Sequence, residues 1–391
     1  MNGLIHLTHD CNLRCPYCFT GAKWKREMDA ETGRKAADFI LDQVARTGER
    51  AVLSFFGGEP MLCFDTMKAI VEHAEVEARR RKLTCLFRMN TNGTLITDEH
   101  LAWFEAHDLV FILSVDGNQA MHDLDRVTAS GEGSFGDLEK RFPAFLEHNP
   151  AMMVSVVITP RNVGHAAAGL RYLLDTGFKY LIVKPDVTAP WTRDAVAELE
   201  RQYNLIGDDY VMRARRGDEL YVNLFDDKWL QHTKGAEAMG IRCDVGSSQV
   251  SVAPSGKLYP CVRWVQEEQD TVPALGDVWN GFTPDRLAAI VEASHAPKTP
   301  CGDCAYNDRC ANECACEHYS ATGRIDTPSP ALCEHERVIV PIADRVGNQL
   351  WREQNLVFLR KQYPDAVLAA RRAAGSTATN DPVGSEERTD K

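Results

Sequence analysis

Residues 4–18 read LIHLTHDCNLRCPYC, a short apolar run followed by three cysteines, Cys11, Cys15 and Cys18. The run Leu4 to Thr8 predicts a β-strand, which puts the cysteines in the loop at its C-terminal end. Barrels of parallel strands carry their chemistry at that end. Three thiolates at C-x3-C-x2-C spacing can ligate three irons of a [4Fe-4S] cube and leave the fourth iron without a protein ligand. The alternative for the same cysteines is zinc, which usually closes on four ligands; His6 and His9 are the nearest candidates.

The pattern beyond this loop predicts an α/β fold. Short β-rich runs at Ala51 to Phe56, Thr84 to Met89, Val110 to Val115, Met152 to Ile158 and Tyr180 to Val183 alternate with helix-patterned segments. One helix shows a stripe at Ala36, Phe39, Ile40 and Val44, another at Met67, Ile70, Val71 and Ala74, a third at Ala167, Leu170 and Leu174. With Leu4 to Thr8 these runs make six strands, which fit an open, partial (β/α)6 TIM-like barrel better than a closed eight-stranded one. The barrel core is expected at 1–190 and a charged helical bridge, rather than another βα unit, at 191–242. A cysteine-rich module is expected at 243–340, a C-terminal helix at 341–374 and a disordered tail at 375–391. Within the module, Gln249 to Cys261 reads as a hairpin turning at Pro254, Ser255 and Gly256. The helical pattern at the end runs from about Glu334 to Tyr363.

The chain has 391 residues with 44 Lys plus Arg against 56 Asp plus Glu, a net charge of -12. Nucleic-acid binding is not expected, because neutralising phosphates needs a basic surface. No signal peptide and no apolar run long enough for a membrane span is visible, so the expected location is cytoplasmic. Thiols stay reduced there, which favours metal or cluster ligation over disulfides for the 13 cysteines.

Two further features bear on the first loop. Phe56-Gly57-Gly58-Glu59-Pro60 ends the second predicted strand, where two glycines allow close backbone approach and Glu59 is able to accept a hydrogen bond from an amino group. Thr91-Asn92-Gly93 and Ser114-Val115-Asp116-Gly117 end later strands, and Arg126 follows. Together these residues resemble the radical S-adenosylmethionine (SAM) superfamily over roughly Leu4 to Lys184. The resemblance implies that Cys11, Cys15 and Cys18 hold a [4Fe-4S] cluster whose open iron chelates the amino and carboxylate groups of SAM. It implies that Gly57, Gly58 and Glu59 contact the SAM amino group and that Tyr17 lies near the adenine. Asn92, Ser114 and Arg126 would line the SAM pocket. The chemistry implied is reductive cleavage of SAM to a 5'-deoxyadenosyl radical that abstracts hydrogen from an unactivated carbon.

The second cysteine zone runs Cys243-x12-Gly256-x4-Cys261, then Cys301-x2-Cys304-x5-Cys310-x3-Cys314, then Cys333. On residues alone, one or two structural zinc knuckles are the alternative. The spacing resembles the SPASM domain, the iron-sulfur extension of radical SAM enzymes that modify peptides and proteins. By that resemblance Cys243, Cys261 and Cys314 ligate a nearer auxiliary [4Fe-4S] cluster, and Cys301, Cys304, Cys310 and Cys333 a farther one. Cys316 is a spare ligand or a bystander; Cys63 and Cys85 read as core thiols. No cysteine occurs from Glu237 to Arg242, which leaves the nearer cluster one ligand short. Val262 stands where sulfatase-maturating relatives carry an Asp base, and valine accepts no proton.

These readings favour a maturase of a ribosomally made peptide, forming a thioether or carbon-carbon crosslink. The alternatives are an anaerobic sulfatase-maturating enzyme and a non-catalytic iron-sulfur electron-transfer protein. Expected partners are the peptide or protein substrate, a reductant such as flavodoxin or ferredoxin, and a separate leader-peptide recognition protein.

Overall fold

The computed structural model describes residues 1–48, 50–235, 245, 249–267, 273–299, 301–310, 314–363 and 366. Cys243 and the predicted tail at 375–391 lie outside the described residues.

The first strand, β1 (Asn2–His6), is followed by α1 (Ala30–Thr47), β2 (Ala51–Phe56), α2 (Phe64–Arg81), β3 (Cys85–Thr91), α3 (Asp98–Ala106) and β4 (Leu109–Ser114). Three short helices, α4 (Gln119–His122), α5 (Phe135–Glu139) and α6 (Phe142–His148), lead to β5 (Met153–Ile158), α7 (Ala166–Thr176) and β6 (Tyr180–Pro185). These six strands pair in parallel and in chain order. Every strand expected from the sequence is present.

The strands alternate because one face lies under helices. Ile5, Leu53, Phe55, Phe87, Met89, Phe111, Val154 and Leu181 are buried, whereas Leu86, Val110, Met153 and Tyr180 on the other face are more than a third exposed. α1 starts where Asp29 accepts a 2.8 Å hydrogen bond from the Thr32 amide and stops at the left-handed Gly48. Its stripe of Ala36, Phe39, Ile40 and Val44 is buried. Gly3 keeps β1 against that stripe, since a Cβ there would come within 2.1 Å of Ile40 Cδ1.

The chain continues through α8 (Arg193–Arg216), β7 (Tyr221–Val222), α9 (Asn223–Lys234), β8 (Gln249–Val252), β9 (Lys257–Tyr259), β10 (Gly276–Asp277), β11 (Gly281–Phe282), α10 (Pro284–His295), α11 (Ala315–Thr322), α12 (Pro330–Arg352) and α13 (Leu356–Gln362). Two features differ from the sequence reading. The segment read as a helical bridge contains β7, which pairs in parallel with β6 and completes a further βα unit. Two residues are too few to display an alternating pattern. The last helix begins earlier, with Pro330 in its first turn, and breaks at Glu353 to Asn355; the Asn355 side chain then caps α13 by accepting from the Phe358 amide at 3.0 Å.

The sheet is open, in the order β11-β10-β9-β8-β1-β2-β3-β4-β5-β6-β7. The predicted hairpin is β8–β9, and β8 pairs in parallel with β1. The cysteine-rich segment therefore extends the barrel sheet on the side of the first cysteine loop. α12 packs over α8 and α9, where the buried Trp229 indole donates to the Ala343 carbonyl at 2.7 Å.

Candidate active site

Cys11, Cys15 and Cys18 lie in the loop after β1. The Cys18 amide donates to the Cys15 carbonyl at 3.1 Å and the Gly21 amide to the Cys18 carbonyl at 3.1 Å, which curls the loop so that the three thiols interact with one another. Burial pushes the Cys11 thiol up to about 11 and the Cys15 thiol up to about 12. Desolvation also opposes ionisation of the half-buried Cys18, yet Lys23, whose ammonium donates to its sulfur at 3.0 Å, holds it below the ordinary value. Ligation of this set releases protons and leaves anionic sulfur flanked by Lys23 and Arg126. Three thiols with flanking cations fit an iron-sulfur cluster that keeps one iron open.

Gly57 and Gly58 meet the cysteine loop itself. A Cβ at Gly58 would lie 1.9 Å from the Asp10 carbonyl oxygen, and one at Gly57 2.4 Å from that of Thr8. The Gly58 amide donates to Thr8 at 2.7 Å and the Glu59 amide to Asp10 at 2.9 Å. The close approach that the glycines permit is thus to the backbone carrying the cysteines. Glu59 is 1% exposed and accepts from the Thr91 hydroxyl at 2.7 Å, the Asn92 amide at 2.9 Å and the Met61 amide at 3.1 Å. Burial still pushes its carboxyl up to about 7. Asn92 in turn donates to Asn12 Oδ1 at 2.9 Å, next to Cys11.

Tyr17 and Arg126 converge on Asp116, a residue that the sequence reading quoted but did not single out. Asp116 is fully buried and accepts from the Tyr17 hydroxyl, from Arg126 Nε at 2.9 Å and Nη2 at 3.2 Å, and from the Val157 amide at 2.8 Å. The Arg126 guanidinium also lies 5.5 Å from the Tyr17 ring centroid. An aspartate at a strand end before a glycine was the available signal. Ser114, the last residue of β4, stands half-buried opposite Ser155 of β5.

In the second zone Cys301, Cys304, Cys310 and Cys333 line one cavity of about 360 Å³. Burial pushes the Cys310 thiol up. Beside it the buried Lys228 and Glu336 pair at 2.6 Å, and Lys228 donates to the Arg309 carbonyl at 2.9 Å; sequence alone gave no sign of this pair, which joins α9 to α12. Among the described residues, no three His, Cys, Asp or Glu side chains are arranged to hold a single metal ion. Cys261, Cys314 and Cys316 pack together, with Cys316 in hydrogen-bond contact with Cys261, while Cys243 lies outside the described residues. Cys63 is buried in the barrel core, and Cys85, at the start of β3, is half-buried against it.

A cleft of about 740 Å³ joins the two zones. Tyr17, Cys18 and Phe19 form one wall, Thr159 to Arg161 after β5 with Asp186 and Thr188 to Pro190 after β6 a second, and Arg263, Trp264 and Tyr319 a third. The Arg263 guanidinium lies 4.6 Å from the Phe19 ring centroid and pairs with Glu317 at 2.9 Å. A second tie joins His9 Nε2 to Glu267 Oε2 at 3.0 Å, with His9 stacked on Trp24.

Residues 5–162 match the Radical SAM superfamily. A serine-type anaerobic sulfatase-maturating enzyme of Klebsiella aerogenes is 25% identical over 343 residues, which is 80% of this chain and 78% of that protein. A cysteine-type enzyme of Clostridium perfringens is 22% identical over 338 residues, 78% of this chain and 85% of that protein. Among solved structures, native anSMEcpe with bound AdoMet superposes with a TM-score of 0.72 at 18% identity, covering 89% of this chain and 98% of that one. SuiB of Streptococcus suis bound to its precursor peptide SuiA superposes with a TM-score of 0.57 at 15% identity, covering 85% and 75%. These superpositions speak for the fold. No helix of the described residues is long and apolar enough to cross a membrane. With the three-cysteine loop on a partial parallel barrel and the match over residues 5–162, that part of the chain is similar to the Radical SAM superfamily.

Proposed function

We propose that this enzyme modifies a side chain of a peptide or protein. The observation that carries the reading is the cleft of about 740 Å³ that reaches from the first cysteine loop to the second cysteine zone. It is large enough for several residues of a substrate and has mixed apolar and charged walls. A [4Fe-4S] cluster on Cys11, Cys15 and Cys18, when bound, supplies the electron that cleaves SAM to a 5'-deoxyadenosyl radical. The protein's own residues position the reactants: Asp116 fixes Tyr17 and Arg126 at the loop, and Phe19, Trp264 and Tyr319 give the cleft an aromatic lining.

Two auxiliary [4Fe-4S] clusters belong to the same reading. The cavity ringed by Cys301, Cys304, Cys310 and Cys333 supports the farther one. The packing of Cys261 with Cys314 supports the nearer, whose third ligand is Cys243. The electrons come from a reductant such as flavodoxin or ferredoxin, and a separate protein recognises the leader peptide. The product is a thioether or carbon-carbon crosslink in a ribosomally made peptide. Val262 opens the short turn after Cys261 and offers no proton acceptor at that position. The second reading is formylglycine formation, favoured by the 25% identity to the serine-type maturating enzyme across 80% of the chain.

The test is reconstitution with iron and sulfide, reduction, and incubation with SAM and a Cys-containing peptide. Release of 5'-deoxyadenosine with a mass change on the peptide is expected. A blocked thiol without a carbonyl marks the crosslink, and labelling by a hydrazide marks formylglycine. No 5'-deoxyadenosine from a fully loaded enzyme overturns the reading.

A further inference from the structure

We propose that Asp125 is the base that takes the proton from the substrate's thiol or hydroxyl, in place of the carboxylate that Val262 lacks. The proposal rests on the side-chain-modifying reading and names the residue that serves it. Asp125 follows α4 and lines the same cleft as Cys18, Arg263 and Trp264. It is 1% exposed, and its two oxygens differ. Oδ2 accepts from the Thr159 hydroxyl at 2.7 Å and from Asn162 Nδ2 at 3.1 Å, which fixes the plane of the carboxyl group. Oδ1 is buried and accepts no hydrogen bond. A cation faces it, Arg161 Nη1 at 3.4 Å, on a side chain that is 60% exposed.

A buried acceptor left unsatisfied beside a cleft is costly to the apoprotein, and a donor brought by the substrate removes that cost. Burial, set against the Thr159 bond and the charges of Arg161 and Arg126 and reinforced by Asp116, leaves the carboxyl above the ordinary carboxylate value. That shift makes it a better proton acceptor. In the step, the S–H or O–H bond of the substrate breaks, its electron pair stays on sulfur or oxygen, and the proton forms a new bond to Oδ1. Asp186 also lines the cleft, but its Oδ1 already accepts from the Thr188 amide at 2.9 Å and the Thr188 hydroxyl at 2.6 Å.

The experiment uses the fully loaded enzyme and two synthetic peptides that differ only in Cys or Ser at the target position. Asp125→Asn is expected to lower product formation by about 10²-fold or more, with the bound iron of the parent. Arg161→Ala, which removes the cation facing Oδ1, is expected to move the acid limb of the rate profile to higher pH, because the carboxylate loses a stabilising charge. A merely structural Asp125 would not shift that limb. Parent-like product yield in Asp125→Asn, or an unmoved limb in Arg161→Ala, overturns the proposal alone. Failure of the parent enzyme to alter either peptide overturns the underlying reading and the proposal together.

Discussion

The Tyr17 hydroxyl donates to the Asp116 carboxylate, so the loop bearing the three N-terminal cysteines is tied to the end of β4. The same carboxylate neutralises the buried Arg126. Asp116→Asn keeps the shape and removes the charge, leaving a guanidinium without its counterion. A loss of about 3–5 kcal/mol is expected, read as a lower denaturant midpoint. Tyr17→Phe, which removes one hydrogen bond, is expected to cost about 1 kcal/mol.

Gly58 leaves no room for a side chain, since its Cβ would overlap the Asp10 carbonyl. Gly58→Ala must push the cysteine loop away from β2. We expect the reconstituted variant to lose about four irons, one cube's worth, and to stop cleaving SAM. The cavity of Cys301, Cys304, Cys310 and Cys333 is remote in the chain and should load normally. Iron analysis and 5'-deoxyadenosine quantification check both halves.

Glu59 gives stability a pH dependence of known sign. Its carboxyl is raised by burial from the ordinary 4.5 to about 7, so between those values the unfolded chain sheds a proton that the folded chain keeps. The contribution is full below about pH 4.5 and is lost as pH rises through about 7. Glu59→Gln does not titrate and should flatten the melting temperature across that window. Melts of the parent and the variant at about pH 5 and about pH 8 make the comparison.

Glu267 acts in the opposite direction. Desolvation of its largely covered side chain raises the carboxyl, but the His9 bond, the Ser255 amide at 3.2 Å and nearby Arg26 hold it below the ordinary value of 4.5. Its stabilisation is present above about pH 4.5 and is lost as pH falls through the depressed value. Glu267→Gln should cost about 1–3 kcal/mol near neutrality and little in acid. Denaturant midpoints measured over that range test it.

The six barrel strands were legible because each has one face under helices, so their alternation survives in the sequence. β7 was not, since two residues carry no period, and neither was the pairing of β8 with β1, which joins segments far apart in the chain. The cysteine spacings marked candidate ligands but not what surrounds them. Asp116 lay inside a quoted motif, yet its part in holding Tyr17 and Arg126 needed three segments in space. Asp125 and the Lys228–Glu336 pair carried no local signal, because their character comes from burial and from partners on other elements.

The position of β1 between β2 and β8 has a consequence for biosynthesis. The strand translated first must wait for residues 249–252 before both of its edges are paired. At about 5–20 residues per second that wait is roughly 12–50 s. During it the nascent chain presents an unpaired strand edge, an invitation to association with other chains. The same interval keeps the flank of the first cysteine loop uncovered, so the cluster proposed for Cys11, Cys15 and Cys18 would have its widest access before translation ends.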